Sequence, residues 1–179
     1  MAPRPAAPEP QTLITVMIAP GETYYAEIDR WIGKADDVNI ILRKTTETDV
    51  FLSYAHDDIG TVEKLAKSME AQGWRVFWDR TILPGDRWHA VIEHALESAK
   101  CVVVVWSPNS IKSEWVREEA AYGKERSVLI PVLMGAPSPP LGFKTIQAAN
   151  LSSWDGTLSS RDFQLFLTGV RRFIQQTIA

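Results

Sequence analysis

The feature that most constrains the fold is a run of six consecutive apolar residues, Cys101–Trp106, which reads CVVVVW. A strand that is apolar throughout is typical of the centre of a parallel sheet, because helices cover both of its faces. Shorter strand-like segments precede and follow it, and segments with helical spacing separate most of them. The strand-like segments are Val50–Tyr54, Arg75–Trp78, Val128–Leu133 and Ile146–Leu151. This alternation predicts an α/β fold with a doubly wound, five-stranded parallel sheet.

Helical spacing marks four segments between and after these strands. The third helix is expected to begin near Ser113, a good capping residue, and the last near Ser159 or Ser160. In a doubly wound sheet, ligands bind beyond the carboxyl ends of the strands. We therefore expect one cleft there, at the start of the third helix and at the residues that end or follow strands: Tyr54, Trp78, Asp79, Trp106 and Ser107.

The third predicted helix carries Trp115 and Glu119, which are four residues apart and therefore share a face. An aromatic plane beside a carboxylate suits a substrate with a flat, cationic ring. The alternative is a tryptophan that packs in the core beside a glutamate that faces solvent. The spacing alone leaves both interpretations open.

The first 44 residues read differently from the rest of the chain. Residues 1–11 are rich in proline and are expected to be a disordered lead-in. Residues 12–44 are expected to form a small β-α-β extension, and residues 45–179 the main domain. The expected elements of the extension are a strand at Leu13–Ala19, a helix marked by Tyr24, Ile28, Trp31 and Ile32, and a strand at Val38–Leu42.

Composition excludes several classes of function. The formal net charge is −3, so the chain carries no basic footprint for nucleic acid. The one cysteine lies in an apolar strand, and the three histidines are not spaced as metal ligands, so neither a disulfide nor a metal site is expected. No segment approaches the roughly 20 apolar residues that cross a bilayer. We expect a cytoplasmic protein without a membrane contact.

Three segments together resemble the signature regions of the TIR domain, in order and in spacing. They read DVFLSYAHDD at Asp49–Asp58, WDRTILPGDRW at Trp78–Trp88 and SPNSIKSEWVREE at Ser107–Glu119. The resemblance extends from about Asp49 to Trp154, and the last helix fits the C-terminal element of the family. It is strongest to the bacterial branch. It implies a flavodoxin-like fold.

The resemblance also implies candidate site residues. Enzymatic TIR domains carry a glutamate on the third helix, four residues after a tryptophan, and these match Glu119 and Trp115. Tyr54 matches a position that lines the nucleotide pocket in relatives. His56 stands where many animal members carry a basic residue, which is a departure from the pattern. The resemblance thus implies that Glu119 is the catalytic residue. The predicted substrate-binding set is Trp115, Tyr54 and His56, with Asp79 and Ser107 from the expected cleft.

The loop that reads DRTILPG resembles the BB loop of the family, which gates the site and joins one TIR domain to the next. Its candidate assembly residues are Arg80, Leu83, Pro84 and Gly85. Proline would stiffen the loop and glycine would allow an unusual backbone angle. An ordinary connection between a strand and a helix would explain the same two residues equally well.

Family and chemistry together give two hypotheses. The first is an NAD glycohydrolase that takes NAD as a substrate, needs no cofactor, and is activated by self-association in bacterial defence. The second is a non-catalytic module that binds other TIR domains. A phosphoacceptor receiver on the same fold is excluded, because its third strand would close with an aspartate and this one closes with Trp106 and Ser107. A Rossmann-type redox site is excluded as well, since the chain has no glycine-rich phosphate loop.

Overall fold

A computed structural model of the chain describes residues 14–19, 22–31, 38–44, 48–78, 88–136 and 138–176. Contacts divide the chain into two units, Met1–Thr46 and Glu47–Ala179. Each unit contains one sheet. The lead-in expected at residues 1–11 lies outside the described residues.

The first unit is an antiparallel sheet of three strands: β1 (Ile14–Ala19), β2 (Glu22–Trp31) and β3 (Val38–Lys44). The helix expected between the outer strands is wrong, because those residues form β2. Tyr24 and Ile28 are four residues apart, an interval that fits both the helical period and the two-residue period of a strand. The aromatic and β-branched content of the segment favours a strand. The extension is therefore a β-meander and not a β-α-β unit.

The second unit is built on a parallel sheet of five strands: β4 (Val50–Ser53), β5 (Val76–Phe77), β6 (Cys101–Trp106), β7 (Leu129–Leu133) and β8 (Ala149–Asn150). Their order is β5-β4-β6-β7-β8, which is the flavodoxin-like order. The predicted parallel sheet is confirmed, with the apolar strand β6 buried at its centre. The two edge strands are shorter than expected, since each has a neighbour on one side only.

Four helices cover this sheet: α1 (Ile59–Glu70), α2 (Trp88–Ser98), α3 (Glu114–Glu125) and α4 (Arg161–Gln176). The buried residues of α1 and α4 pack with Val50 and Leu52 of β4, whereas those of α2 and α3 pack with Phe51. The alternation of side chains along β4 therefore assigns Ser53 to the face that α2 and α3 cover. Among the described helices, none is both long and apolar enough to cross a membrane.

Asp49 joins the starts of three strands at the amino edge of the sheet. Its carboxylate accepts hydrogen bonds from the backbone N and the Nε of Arg75, both at 3.0 Å, and from Nζ of Lys100 at 2.9 Å. Burial by itself would raise the pKa of Asp49, but these hydrogen bonds outweigh it and hold the pKa far below its usual range. This cluster fixes the end of the sheet opposite the expected cleft.

Candidate functional site

Glu119 is the buried charged residue of α3. It is 3% exposed and shares the buried face of the helix with Val116, Ala120 and Gly123. The hydroxyl of Ser53, at the carboxyl end of β4, donates a hydrogen bond of 2.5 Å to Oε2 of Glu119. Glu118, the next residue back, is exposed. The interpretation that Glu119 would face solvent is therefore wrong.

Two local features bring Glu119 close to the sheet. Ser113 caps α3 by accepting a hydrogen bond of 3.3 Å from the backbone N of Val116, as its position in the sequence predicted. One turn beyond Glu119, Gly123 allows close approach, because a Cβ at this position would lie 2.9 Å from the Cβ of Val102 in β6. A bulkier residue there would hold the helix away from the sheet. The glycine thus lets the carboxylate of Glu119 reach β4.

A cavity of about 320 Å³ lies between α2 and α3, and Glu119 lines it. Trp115 lines the same cavity, so the structure brings the predicted pair together. The wall is otherwise aliphatic and aromatic, with three further carboxylates. The remaining lining residues are Ile92, Leu96 and Tyr122, and the acidic Glu93, Glu97 and Glu118. Carboxylates beside aromatic walls favour a flat aromatic ring that carries positive charge.

Arg126 holds α2 and α3 together beside this cavity. Its guanidinium donates to the backbone oxygens of Leu96 at 2.7 Å and Ala99 at 2.9 Å. The same guanidinium lies 5.6 Å from the ring centre of Tyr122. Because Leu96 and Tyr122 both line the cavity, Arg126 sets the distance between its two walls.

A larger cleft of about 810 Å³ lies beyond the carboxyl ends of β4 and β6, where the strand order reverses. Trp115 lines this cleft too and so belongs to both spaces. The other lining residues include Tyr54 and His56 after β4, and Asn109, Lys112 and Ser113 after β6. The cleft predicted from the strand order is therefore present, and it contains three of the predicted substrate-binding residues.

Tyr54 lines the cleft but is only 5% exposed. Its hydroxyl donates a hydrogen bond of 2.9 Å to the backbone oxygen of Trp78, whose indole Nε1 donates to Glu70 at 3.0 Å. Tyr54 thus anchors the last described residue before the expected assembly loop. The predicted residues of that loop, Asp79, Arg80, Leu83, Pro84 and Gly85, lie outside the described residues.

Ser107 lines neither of these two spaces. It is buried, and its hydroxyl donates to the carboxylate of Asp58 and accepts from the backbone N of Ser110 at 2.9 Å. Asn109 adds a second contact to Asp58, at 2.7 Å. These bonds tie the turn after β4 to the turn after β6, so Ser107 shapes the wall of the cleft. Its predicted contact with substrate stays a prediction.

Trp106, expected at the cleft, is fully buried and packs against Phe143 with ring centres 5.2 Å apart. Sequence reasoning missed Ser53. Its signal was present, because a serine ends an otherwise apolar strand, two residues after Phe51 on the same face. Among the described residues, no cluster of three or more His, Cys, Asp or Glu could hold a metal ion.

The strand order, the two layers of helices and the cleft beyond the carboxyl ends of β4 and β6 define a doubly wound α/β domain of the flavodoxin-like type. The TIR domain family model matches residues 50–165. The chain therefore belongs to the TIR domain family.

Two curated relatives share part of this sequence. The stimulator of interferon genes protein of Magallana gigas is 31% identical over 103 residues, which cover 53% of this chain and 25% of that protein. The putative cyclic ADP-D-ribose synthase TIR2 of Cytobacillus dafuensis is 28% identical over 85 residues, which cover 43% of this chain and 22% of that protein. The match thus spans about a quarter of the length of either relative.

Two solved structures resemble the chain in fold. The TIR domain of the Toll-related receptor TRR-2 from Hydra magnipapillata has a TM-score of 0.58 at 22% identity, and the match covers 69% of this chain and 98% of that one. A TIR-STING receptor from C. gigas has a TM-score of 0.57 at 23% identity, covering 73% of this chain and 41% of that one. Both support the TIR fold.

Proposed function

We propose that this TIR domain cleaves the bond between nicotinamide and ribose in NAD, and that it belongs to the bacterial NAD-hydrolysing branch. The products would be nicotinamide and either ADP-ribose or a cyclic isomer. The observation that carries the proposal is the buried carboxylate of Glu119, which lines one cavity together with the indole of Trp115. The name of the bacterial relative, a putative cyclic ADP-D-ribose synthase, supports it.

The chemistry needs few groups. As the bond between the ribose carbon and the ring nitrogen breaks, its electron pair moves to the cationic nicotinamide ring, which leaves as a neutral molecule. The general acid that glycosidases use to protonate a leaving group is therefore unnecessary. Positive charge develops on the ribose, and the carboxylate of Glu119 would stabilise it. Water then adds to the ribose and loses a proton, or an internal nucleophile closes the cyclic isomer.

Trp115 would stack on the pyridinium ring before cleavage. Such a cation–π contact is worth about 0.5–2 kcal/mol. Because the charge on the ring disappears as the bond breaks, this contact would favour substrate binding more than the transition state. Glu119 faces charge that grows during the reaction, so it would supply the larger effect on rate.

The two spaces beside Trp115 suit the two halves of the substrate. The cavity of about 320 Å³ is at the small end of the roughly 300–1,000 Å³ that ligand pockets occupy, and would hold nicotinamide and its ribose. The adjoining cleft would take the rest of the dinucleotide. Lys112 and His56 line that cleft and would face the phosphates.

Self-association would complete the site. By resemblance to the family, the loop with Arg80, Leu83, Pro84 and Gly85 would contact a neighbouring domain and cover its cleft. We therefore propose that crowding or assembly activates the enzyme in a cytoplasmic role in bacterial defence. Specific activity should rise with protein concentration. Specific activity that is constant down to nanomolar protein would refute activation by assembly.

The direct test is incubation with NAD, with and without a crowding agent, followed by separation of the products by chromatography. Glu119→Gln should abolish nicotinamide release and retain the fold, as judged by circular dichroism. Glu118→Gln is the matched control, since this exposed carboxylate lines the same cavity. It should keep most of the activity. Wild-type protein that assembles and leaves NAD intact would refute the proposal.

That outcome would favour the second candidate, a module that only binds other TIR domains. The relative from Magallana gigas is named as a stimulator of interferon genes protein. Light scattering that reports assembly, measured in the same samples as nicotinamide release, separates the two functions.

A further inference from the structure

The contact between Ser53 and Glu119 has no part in the chemistry proposed so far. Ser53 is the last residue of β4 and is completely buried, and Glu119 lies 66 residues further along the chain. Their hydrogen bond joins the carboxyl end of a central strand to the proposed catalytic carboxylate. A serine hydroxyl in a strand otherwise made of apolar residues costs free energy unless it is hydrogen-bonded.

Two features of the surroundings of Glu119 disfavour its ionised form. Burial disfavours a charge, and three further carboxylates line the same cavity: Glu93 and Glu97 from α2, and Glu118 from α3. The sheet residues that pack with α2 and α3 are apolar, and they include Phe51, Val102 and Val104. Arg126 lies beside this cavity, where its guanidinium donates to the backbone oxygens of Leu96 and Ala99, and Lys112 lines the adjoining cleft. A hydrogen-bond donor from the sheet would offset part of the free-energy cost of ionising Glu119.

A hydroxyl favours the ionised carboxylate over the neutral acid. Serine can also accept a hydrogen bond from a protonated carboxyl, so the contact would survive protonation. The bond to an ionised oxygen is about twice as strong, however, and the difference stabilises the charged form. The same bond fixes Oε2 and hence the orientation of the carboxylate within the cavity.

We propose that Ser53 is a positioning residue that holds Glu119 ionised and oriented for cleavage of NAD. The inference rests on the proposed function, because it assigns a role in that reaction. Ser53 itself does not contact substrate. Its hydroxyl acts through Glu119 alone, so its removal should change the pH dependence of the reaction and not only the amount of folded protein.

The test compares the pH profile of kcat/KM for wild type, Ser53→Ala and Ser53→Cys. Loss of the hydroxyl should move the acid limb up by about one to two pH units, since a hydrogen bond to a charged group stabilises it by that order. At pH values below the acid limb, kcat/KM of Ser53→Ala should be about 10–100-fold lower than that of wild type. This difference should shrink as the pH rises. Ser53→Cys keeps a weaker donor of similar size and should shift the limb by less.

Ser110→Ala is the matched control. Ser110 is also fully buried, and its hydroxyl accepts a hydrogen bond of 2.7 Å from the backbone N of Ser107. Its loss should lower stability by a similar amount and leave the acid limb at the wild-type pH. An equal loss of activity by Ser53→Ala at every pH would overturn the proposal, because it would indicate a packing defect.

A second measurement does not depend on activity. Carbon-13 NMR of the labelled Glu119 carboxyl gives its titration midpoint in wild type and in Ser53→Cys, which retains the side-chain volume. The midpoint should rise in the variant. If wild type releases no nicotinamide but the midpoint still rises in Ser53→Cys, the proposed function is refuted and the effect of Ser53 on Glu119 is supported. An active wild type with no change in midpoint or acid limb would refute the role of Ser53 alone.

Discussion

The close approach of α3 to β6 predicts that Gly123→Ala destabilises the domain. The added Cβ would lie 2.9 Å from Cβ, 3.0 Å from Cγ1 and 3.3 Å from Cγ2 of Val102. Rotation of the valine cannot relieve the overlap, because its Cβ and both of its branches are involved. Ordinary contacts between carbon atoms are about 3.5–4.0 Å, so the helix must move by roughly 0.5–1 Å.

The magnitude follows from two opposing effects. Overpacking of this kind costs about 1–3 kcal/mol, whereas alanine gains about 1 kcal/mol over glycine inside a helix. The net change in the free energy of unfolding should be a loss of about 0–2 kcal/mol. Gly60→Ala in α1 isolates the second effect, because no atom lies within 4 Å of its added Cβ. It should stabilise the domain by up to about 1 kcal/mol.

Urea denaturation of the two variants measures the difference, which should be about 1–3 kcal/mol in favour of Gly60→Ala. The same shift of α3 would lengthen the bond between Ser53 and Glu119, one turn before the glycine, and should lower the rate of nicotinamide release. Equal stabilisation by both substitutions would refute the reasoning, since it would mean that α3 does not need a glycine against β6.

Three further predictions concern the site and the sheet. Trp115→Ala should raise KM for NAD about 2–30-fold with a smaller change in kcat, as measured by steady-state kinetics, because stacking acts mainly before the bond breaks. Tyr54→Phe removes the donor to the backbone of Trp78 and should speed proteolysis within the connection that follows, compared with Tyr122→Phe. Asp49→Asn should cost roughly 2 kcal/mol at pH 7 by denaturant unfolding. The pKa of Asp49 is lowered in the folded protein, so the stability that its carboxylate contributes is present above about pH 4 and is lost as the pH falls toward the folded pKa. The difference in unfolding free energy between Asp49→Asn and wild type should therefore shrink in acid.

Local patterns were sufficient for the parallel sheet and for the start of α3. Strand β6 could be predicted because six consecutive apolar residues need cover on both faces, and α3 because its capping serine and helical spacing agree. Trp115 and Glu119 could be assigned to one face of α3 because residues four apart are neighbours on a helix. These features depend on neighbours within a few residues, so the sequence contains them directly.

The prediction failed where one local pattern fits two structures. The interval between Tyr24 and Ile28 is a multiple of the strand period and close to the helical one, and the pairing of β2 with β1 and β3 decided between them. The hydrogen bonds of a sheet form between distant segments. The stability of a strand therefore depends on partner strands that cannot be read from its own local sequence.

The sequence by itself determined the order of the elements from β4 onward, the resemblance to the family, and the face of α3 that Trp115 and Glu119 share. Only the tertiary structure decided that Glu119 is buried, that Ser53 bonds to it across 66 residues, and that Ser107 closes a turn with Asp58. The physical reason is that periodicity specifies which face of an element is apolar. The distance between two facing side chains depends on how closely the elements pack, which here is set by a glycine against a valine on another strand.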